Sequence, residues 1–99
     1  MSDTVTVTLE LALKPEAVQD FCTQIPEVLK ETREFPGFVD IMVRRNADDP
    51  NRVILVEEWE TRAAYEAYIA YRTETGFMDA LAETITEPPR LNYWDDRIA

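Results

Sequence analysis

An α+β fold of the ferredoxin-like, split β-α-β kind, with one four-stranded antiparallel sheet and helices on one face, is predicted by three features of this 99-residue sequence. Strand-like segments of alternating or continuous apolar character recur along the chain, helix-like segments with three-and-four spacing lie between them, and the order reads β-α-β-β-α(α)-β. A chain of this length forms one domain over 1–99 and buries its apolar residues by laying helices on one side of a sheet.

Residues 4–13, TVTVTLELAL, place Val5, Val7, Leu9, Leu11 and Leu13 on one side and threonines, Glu10 and Ala12 on the other, which is a strand with one buried face. Pro15 changes the period, because its fixed φ suits the first helical turn and Glu16 complements the dipole there. The helix predicted over 15–34 carries Val18, Phe21, Cys22, Ile25, Leu29 and Thr32 on its apolar face, with a kink expected at Pro26. Phe35-Pro36-Gly37 ends it. Strands over 38–45 and 52–60 flank the turn-rich NADDPN and form a hairpin. Thr61 is placed to cap the next helix, whose core side is Ala64, Tyr65, Tyr68, Ile69 and Arg72 until TETG at 73–76 interrupts it. A short helix over 77–86, with Met78, Leu81, Ala82 and Ile85 as its stripe, leads through Pro88-Pro89 to a last strand over 90–96.

One strand carries a further expectation. Val53, Ile54, Leu55 and Val56 are apolar without alternation, the pattern of a strand covered on both faces, yet the helices cover only one. The second face is expected to meet the same face of another copy, giving a homodimer; a chance apolar run is the competing explanation.

Composition excludes several classes of function. With 20 acidic against 10 basic residues and a formal net charge of -10, the surface repels a phosphate backbone, so no nucleic-acid partner is expected. No apolar run reaches the ~20 residues of a membrane span, and the opening Ser2-Asp3-Thr4 has neither the basic nor the apolar region of a secretory signal, so a cytoplasmic protein without a membrane partner is expected. Histidine is absent, which removes histidine-ligated zinc or haem and every nucleophile–histidine pair. The single cysteine, Cys22, reads as a small buried side chain, and two glycines leave no phosphate-cradling loop. The acidic pairs Asp48-Asp49 and Asp95-Asp96 read as a turn and a solvated tail, not a metal site. No cofactor is expected.

Glu57 and Trp59 share one strand face with Leu55 and Val53, and Tyr65, Tyr68 and Arg72 share one helix face. If that helix covers that strand, a carboxylate, a guanidinium and three aromatic rings converge, the make-up of a small-molecule site. The same residues suit a packed core, with Arg72 paired to Glu57 or Glu74.

The segments EEWETRAAYEAYIA (57–70) and ETREFPGFVDIMVRR (31–45) resemble the antibiotic biosynthesis monooxygenase family, small dimeric α+β barrels in which an acidic residue, a spacer and a tryptophan close a strand before an aromatic-bearing helix. In this sequence those positions are Glu57, Glu58, Trp59 and Tyr65. Many relatives carry a histidine where this chain has Tyr68, so a histidine base and haem degradation are not implied. The resemblance implies a cofactor-independent oxygenase acting with dioxygen on a phenolic, hydroquinone or quinol-like molecule that is its own reductant. The expected catalytic residues are Glu57 as proton acceptor, Tyr65 and Tyr68 as hydroxyl donors and Arg72 as anion stabiliser; Leu55, Trp59, Ile69 and Phe77 are expected against the substrate. Two alternatives stay open: a non-catalytic module that binds a small aromatic or only dimerises, and an isomerase or lyase on the same fold.

Overall fold

A computed structural model describes residues 4–99; Met1, Ser2 and Asp3, two of which belong to the opening in which no secretory signal is expected, lie outside the described residues. The elements run β1 (Val5–Ala12), a 3-10 turn (Pro15–Ala17), α1 (Val18–Thr32), β2 (Phe38–Arg45), β3 (Arg52–Trp59), α2 (Arg62–Glu74), α3 (Phe77–Ala82) and β4 (Arg90–Trp94). The strands form one antiparallel sheet ordered β2-β3-β1-β4, the ferredoxin-like topology expected from the element order. Each β-α-β passage skips one strand, and β3 and β1 fill the gaps at the centre.

Period-two patterning sets which side chains meet the helices. Val5, Val7, Leu9 and Leu11 of β1 alternate with less buried threonines, and Val53, Leu55, Glu57 and Trp59 form the matching face of β3. Pairing aligns Val5 with Trp59, Val7 with Glu57 and Leu9 with Leu55, so the two strands bury one continuous surface. The core has two parts. Leu9, Leu11, Leu13, Leu29, Ile41, Val53 and Leu55 form an aliphatic cluster, and Val5, Val7, Trp59, Tyr65 and Tyr68 an aromatic one. Glu57 lies on β3 between Leu55 of the first and Trp59 of the second.

Turn chemistry explains the ends of the elements. Asn46 Oδ1 accepts from the amides of Asp48 and Asp49 and so turns the hairpin, and Thr61 accepts from the Ala64 amide at 3.0 Å to cap α2. Gly37 adopts φ 85°, and a Cβ there would lie 2.5 Å from the Cβ of Ala64. Glycine is required by both the backbone and the approach of α2.

Several details depart from the sequence reading. Pro15–Ala17 is a 3-10 turn, and α1 runs through Pro26 to Thr32. Cys22 is half-buried with Arg45 Nη2 2.9 Å from its sulfur, because it lies at the flank of the helix face whose Phe21 and Ile25 pack against the core, beside the end of β2. α3 stops at Ala82, which is exposed. The following residues are drawn to β1 instead: Lys14 N bonds to the Thr84 carbonyl, Thr86 N to that of Ala12, and Leu13 bridges Ile85. Such bonds satisfy the backbone without a further helical turn.

No helix of the described residues covers the second sheet face, and there Ile54 and Val56 are only half-buried while Val53 and Leu55 on the other side are buried. Met42 is 50% and Trp94 59% exposed, and both alternate onto this open face with Val56 and Thr6. No helix of the described residues is long and apolar enough to cross a membrane.

Candidate active site

β3 and α2 build the site. Glu57 is 3% exposed and sits in the sheet between Val7 of β1 and Ile41 of β2, with the side chains of α2 above it. Trp59, two residues along the same face, donates from Nε1 to Glu57 Oε1 at 3.0 Å. Burial pushes the Glu57 carboxyl above its ordinary range, and the indole hydrogen bond works in the opposite direction with smaller effect. A second carboxylate oxygen, Oε2, has no hydrogen bond to a described residue, yet no fully buried polar side-chain atom among those residues lacks a partner. Oε2 therefore has open space beside it, and Glu57 lines a cavity of about 40 Å³ between sheet and helices.

Tyr65 and Tyr68, three residues apart on α2, face the same cavity. Burial first, and then the charges of Glu57 and neighbouring tyrosines, raise the Tyr65 phenol beyond its ordinary range, so it stays a neutral donor. Its ring packs edge-on against Trp59 at 5.7 Å and Tyr93 at 5.8 Å, which holds its direction. Arg62 stacks 3.8 Å over the ring of Tyr93 from outside.

Arg72 is 6% exposed and bound on every side. Nε donates to the Tyr68 hydroxyl at 3.0 Å, Nη2 to the Val28 carbonyl at 3.1 Å and Thr32 Oγ1 at 3.2 Å, and Nη1 to Glu31 at 2.6 Å. Thr32 Oγ1 also lies 2.8 Å from the Tyr68 hydroxyl. Glu31 is thus the partner of Arg72, where Glu57 or Glu74 was expected, because α1 packs beside α2 and brings its carboxylate to the guanidinium. This α1 contribution, Val28, Glu31 and Thr32, is what sequence reasoning missed as a site. The only available signal was the spacing of 28 and 32, one helical turn apart on the face toward the core.

Of the expected site residues, Leu55, Glu57, Tyr65, Tyr68, Ile69, Arg72 and Phe77 all line the cavity. Trp59 is placed differently. It is fully buried behind Glu57, packed by Phe38, Tyr65 and Tyr68, so it orients the carboxylate and is not a wall against the cavity. The physical reason is position: Trp59 ends β3 under the aromatic cluster, beyond the space that Leu55 and Glu57 face. Among the described residues no three Asp, Glu or Cys side chains converge as metal ligands.

A ferredoxin-like sheet with a buried carboxylate and tyrosines between sheet and helices defines a class of small α+β protein with an interior site. The particular family follows from sequence: the model of the antibiotic biosynthesis monooxygenases matches residues 4–70, more than half of the chain, and the protein belongs to that family. Solved structures agree on the fold. A conserved protein of Methanosarcina mazei superposes with a TM-score of 0.86 at 21% identity, covering 97% of this chain and 95% of its own. An antibiotic biosynthesis monooxygenase superposes at 0.82 and 22% identity, covering 94% and 98%. SnoaB of Streptomyces nogalater, a cofactor-independent oxygenase, superposes at 0.82 and 19% identity, covering 99% and 97%. No curated protein matches the chain.

Proposed function

We propose that this protein is a cofactor-independent monooxygenase that oxidises a phenol or quinol-like molecule with dioxygen, using Glu57 as its proton shuttle. The observation that carries this reading is the buried Glu57 carboxylate, held by Trp59 through one oxygen and open to the cavity through the other, opposite the neutral phenol of Tyr65. Membership of the family and the likeness to a cofactor-independent oxygenase support it.

The chemistry balances with no added reductant. Glu57 takes the substrate's phenolic proton, and the phenolate gives one electron to dioxygen. Recombination of superoxide with the ring carbon para to the oxygen forms a C–O bond. Glu57 returns its proton to the peroxide, and then accepts the ring proton as the O–O bond breaks. That proton joins the departing hydroxide, so C–H becomes C=O and one water leaves. Phenol plus dioxygen gives quinone plus water. Tyr65 and Tyr68 hydroxyls orient the substrate oxygen, Leu55, Ile69 and Phe77 exclude water, and Arg72 keeps a positive charge near the developing anion, moderated by Glu31.

1-Naphthol tests this reading. Oxygen uptake with formation of 1,4-naphthoquinone carrying one atom of labelled dioxygen is the expected result, with Glu57→Gln slower by about 10²- to 10⁴-fold. Full turnover by both Glu57→Gln and Tyr65→Phe would overturn the site assignment. One observation favours the non-catalytic alternative: about 40 Å³ is less than the ~150 Å³ that a single benzene ring occupies in an engineered cavity. No oxygen uptake across a naphthol and hydroquinone panel would select it, and anaerobic turnover would select an isomerase or lyase.

In the same reading the working form is a homodimer in the cytosol, its open sheet faces packed together. The exposed Met42 and Trp94 and the half-buried Ile54 and Val56 support the dimer.

A further inference from the structure

A substrate ring cannot enter a space of about 40 Å³ unless a wall moves, and the structure identifies that wall. Outside the inner cavity, between α1 and α3, lies a second space of about 240 Å³. Both are lined by the same five side chains, Phe21, Ile25, Val28, Phe77 and Leu81, which form one apolar partition between them. Two of the five belong to α3, a six-residue helix with no buried residue. It follows Gly76, at φ 83°, around which a side chain would meet nothing within 4 Å. Swinging Phe77 and Leu81 aside therefore leaves the sheet and both long helices in place.

Resting on the reading of Glu57 as the phenol-binding base, we propose that the α1–α3 groove is the second compartment of the same site. Its occupant is the uncharged apolar part of a substrate whose hydroxylated ring passes the Phe77 partition into the inner cavity. With the partition open the joined space approaches the ~300 Å³ at the lower end of small-molecule pockets. The chemistry of the groove selects the class of tail. Its lining is apolar apart from Gln24, Thr84 and Asp20, and the one charge it carries is negative. In the inner cavity the only cation, Arg72, is already paired with Glu31. A carboxylate, phosphate or acyl-carrier tail is disfavoured, whereas an alkyl chain or a further fused ring fits. The preferred substrate is an elongated neutral phenol, not a single small ring.

A series of 4-alkylphenols from ethyl to hexyl tests this at equilibrium, since a blocked para carbon prevents turnover. Binding by calorimetry is expected to tighten about threefold to fourfold per methylene in the natural protein. Ala80→Trp and, from the opposite wall, Gln24→Trp fill the groove from exposed helix positions, and each is expected to abolish that gradient while 4-ethylphenol still binds. A carboxylate-terminated hexyl analogue should bind at least tenfold more weakly than the hexyl compound. A flat series with 4-ethylphenol bound, or a gradient that survives in both variants with native melting curves, overturns the proposal. Either result leaves the Glu57 reading standing, because oxygen uptake with 1-naphthol reports on that separately. Failure of every phenol to bind, together with no uptake, overturns both.

Discussion

At Glu57 the cost of burial depends on pH. The unfolded carboxyl releases its proton near the ordinary value of 4.5, while the folded one holds it to higher pH because burial disfavours the charge. Between those two points the folded state binds more protons, so stability falls as pH rises through the window and levels off once the folded group has ionised. Glu57→Gln removes the ionisation and its amide oxygen still accepts from Trp59. The difference in urea midpoint, variant minus natural protein, is expected to grow from near zero at pH 4 to a clear stabilisation at pH 8; a constant difference would contradict the burial argument. Trp59→Phe makes a complementary probe, since it keeps a ring in place but withdraws the N–H that lowers the carboxyl. The acid limb of the 1-naphthol rate is expected to move to higher pH in Trp59→Phe, a shift that loss of packing alone does not produce. Arg72 answers to a different rule, because its removal withdraws donors from the Tyr68 and Thr32 hydroxyls and the Val28 carbonyl, which then keep only one another, while the exposed Glu31 returns to water. Arg72→Leu is expected to cost about 1–3 kcal/mol by chemical denaturation, whatever its effect on rate.

The elements that position the site meet at one crowded point. α2 reaches its place over β3 because Gly37 lets Ala64 approach, and the Glu60 amide bonds to the Gly37 carbonyl at 2.7 Å just before the helix starts. Gly37→Ala adds both left-handed backbone strain and a collision with Ala64, and is expected to cost about 2–5 kcal/mol. Ala64→Gly in that background should recover the collision part but not the backbone part, so partial rescue in a melting experiment separates the two. Full rescue would mean the φ of 85° is not strained. The cap is a milder control: Thr61→Ala loses the bond to the Ala64 amide and is expected to cost about 1 kcal/mol.

For the whole molecule the open sheet face sets the prediction. A stable pair through that face would bury on the order of 2,000 Å² in total. Light scattering at micromolar concentration is expected to give twice the chain mass of 11.5 kDa. Two copies that each carry a net charge of -10 repel, so dissociation should be easier at low salt. Val56→Lys, from the centre of the face, should yield a folded monomer; a persistent monomer of the natural protein would reject the pairing.

What the sequence determined by itself was local in origin. Alternation in TVTVTLELAL, the Pro-Gly stop at 36–37 and the Thr61 cap define the order and type of the elements, and that order admits few topologies. It also put Glu57 and Trp59 on one strand face and Tyr65, Tyr68 and Arg72 on one helix face, because the periods of strand and helix are fixed by backbone geometry. Tertiary structure decided the contacts between elements, whose distances no periodicity encodes. It brought Glu31 and Thr32 from α1 to Arg72, set Trp59 behind Glu57 and not beside the cavity, and turned Cys22 toward Arg45. The length of α3 was decided there too, since the residues after Ala82 find backbone partners on the end of β1 that exist only once the chain has folded.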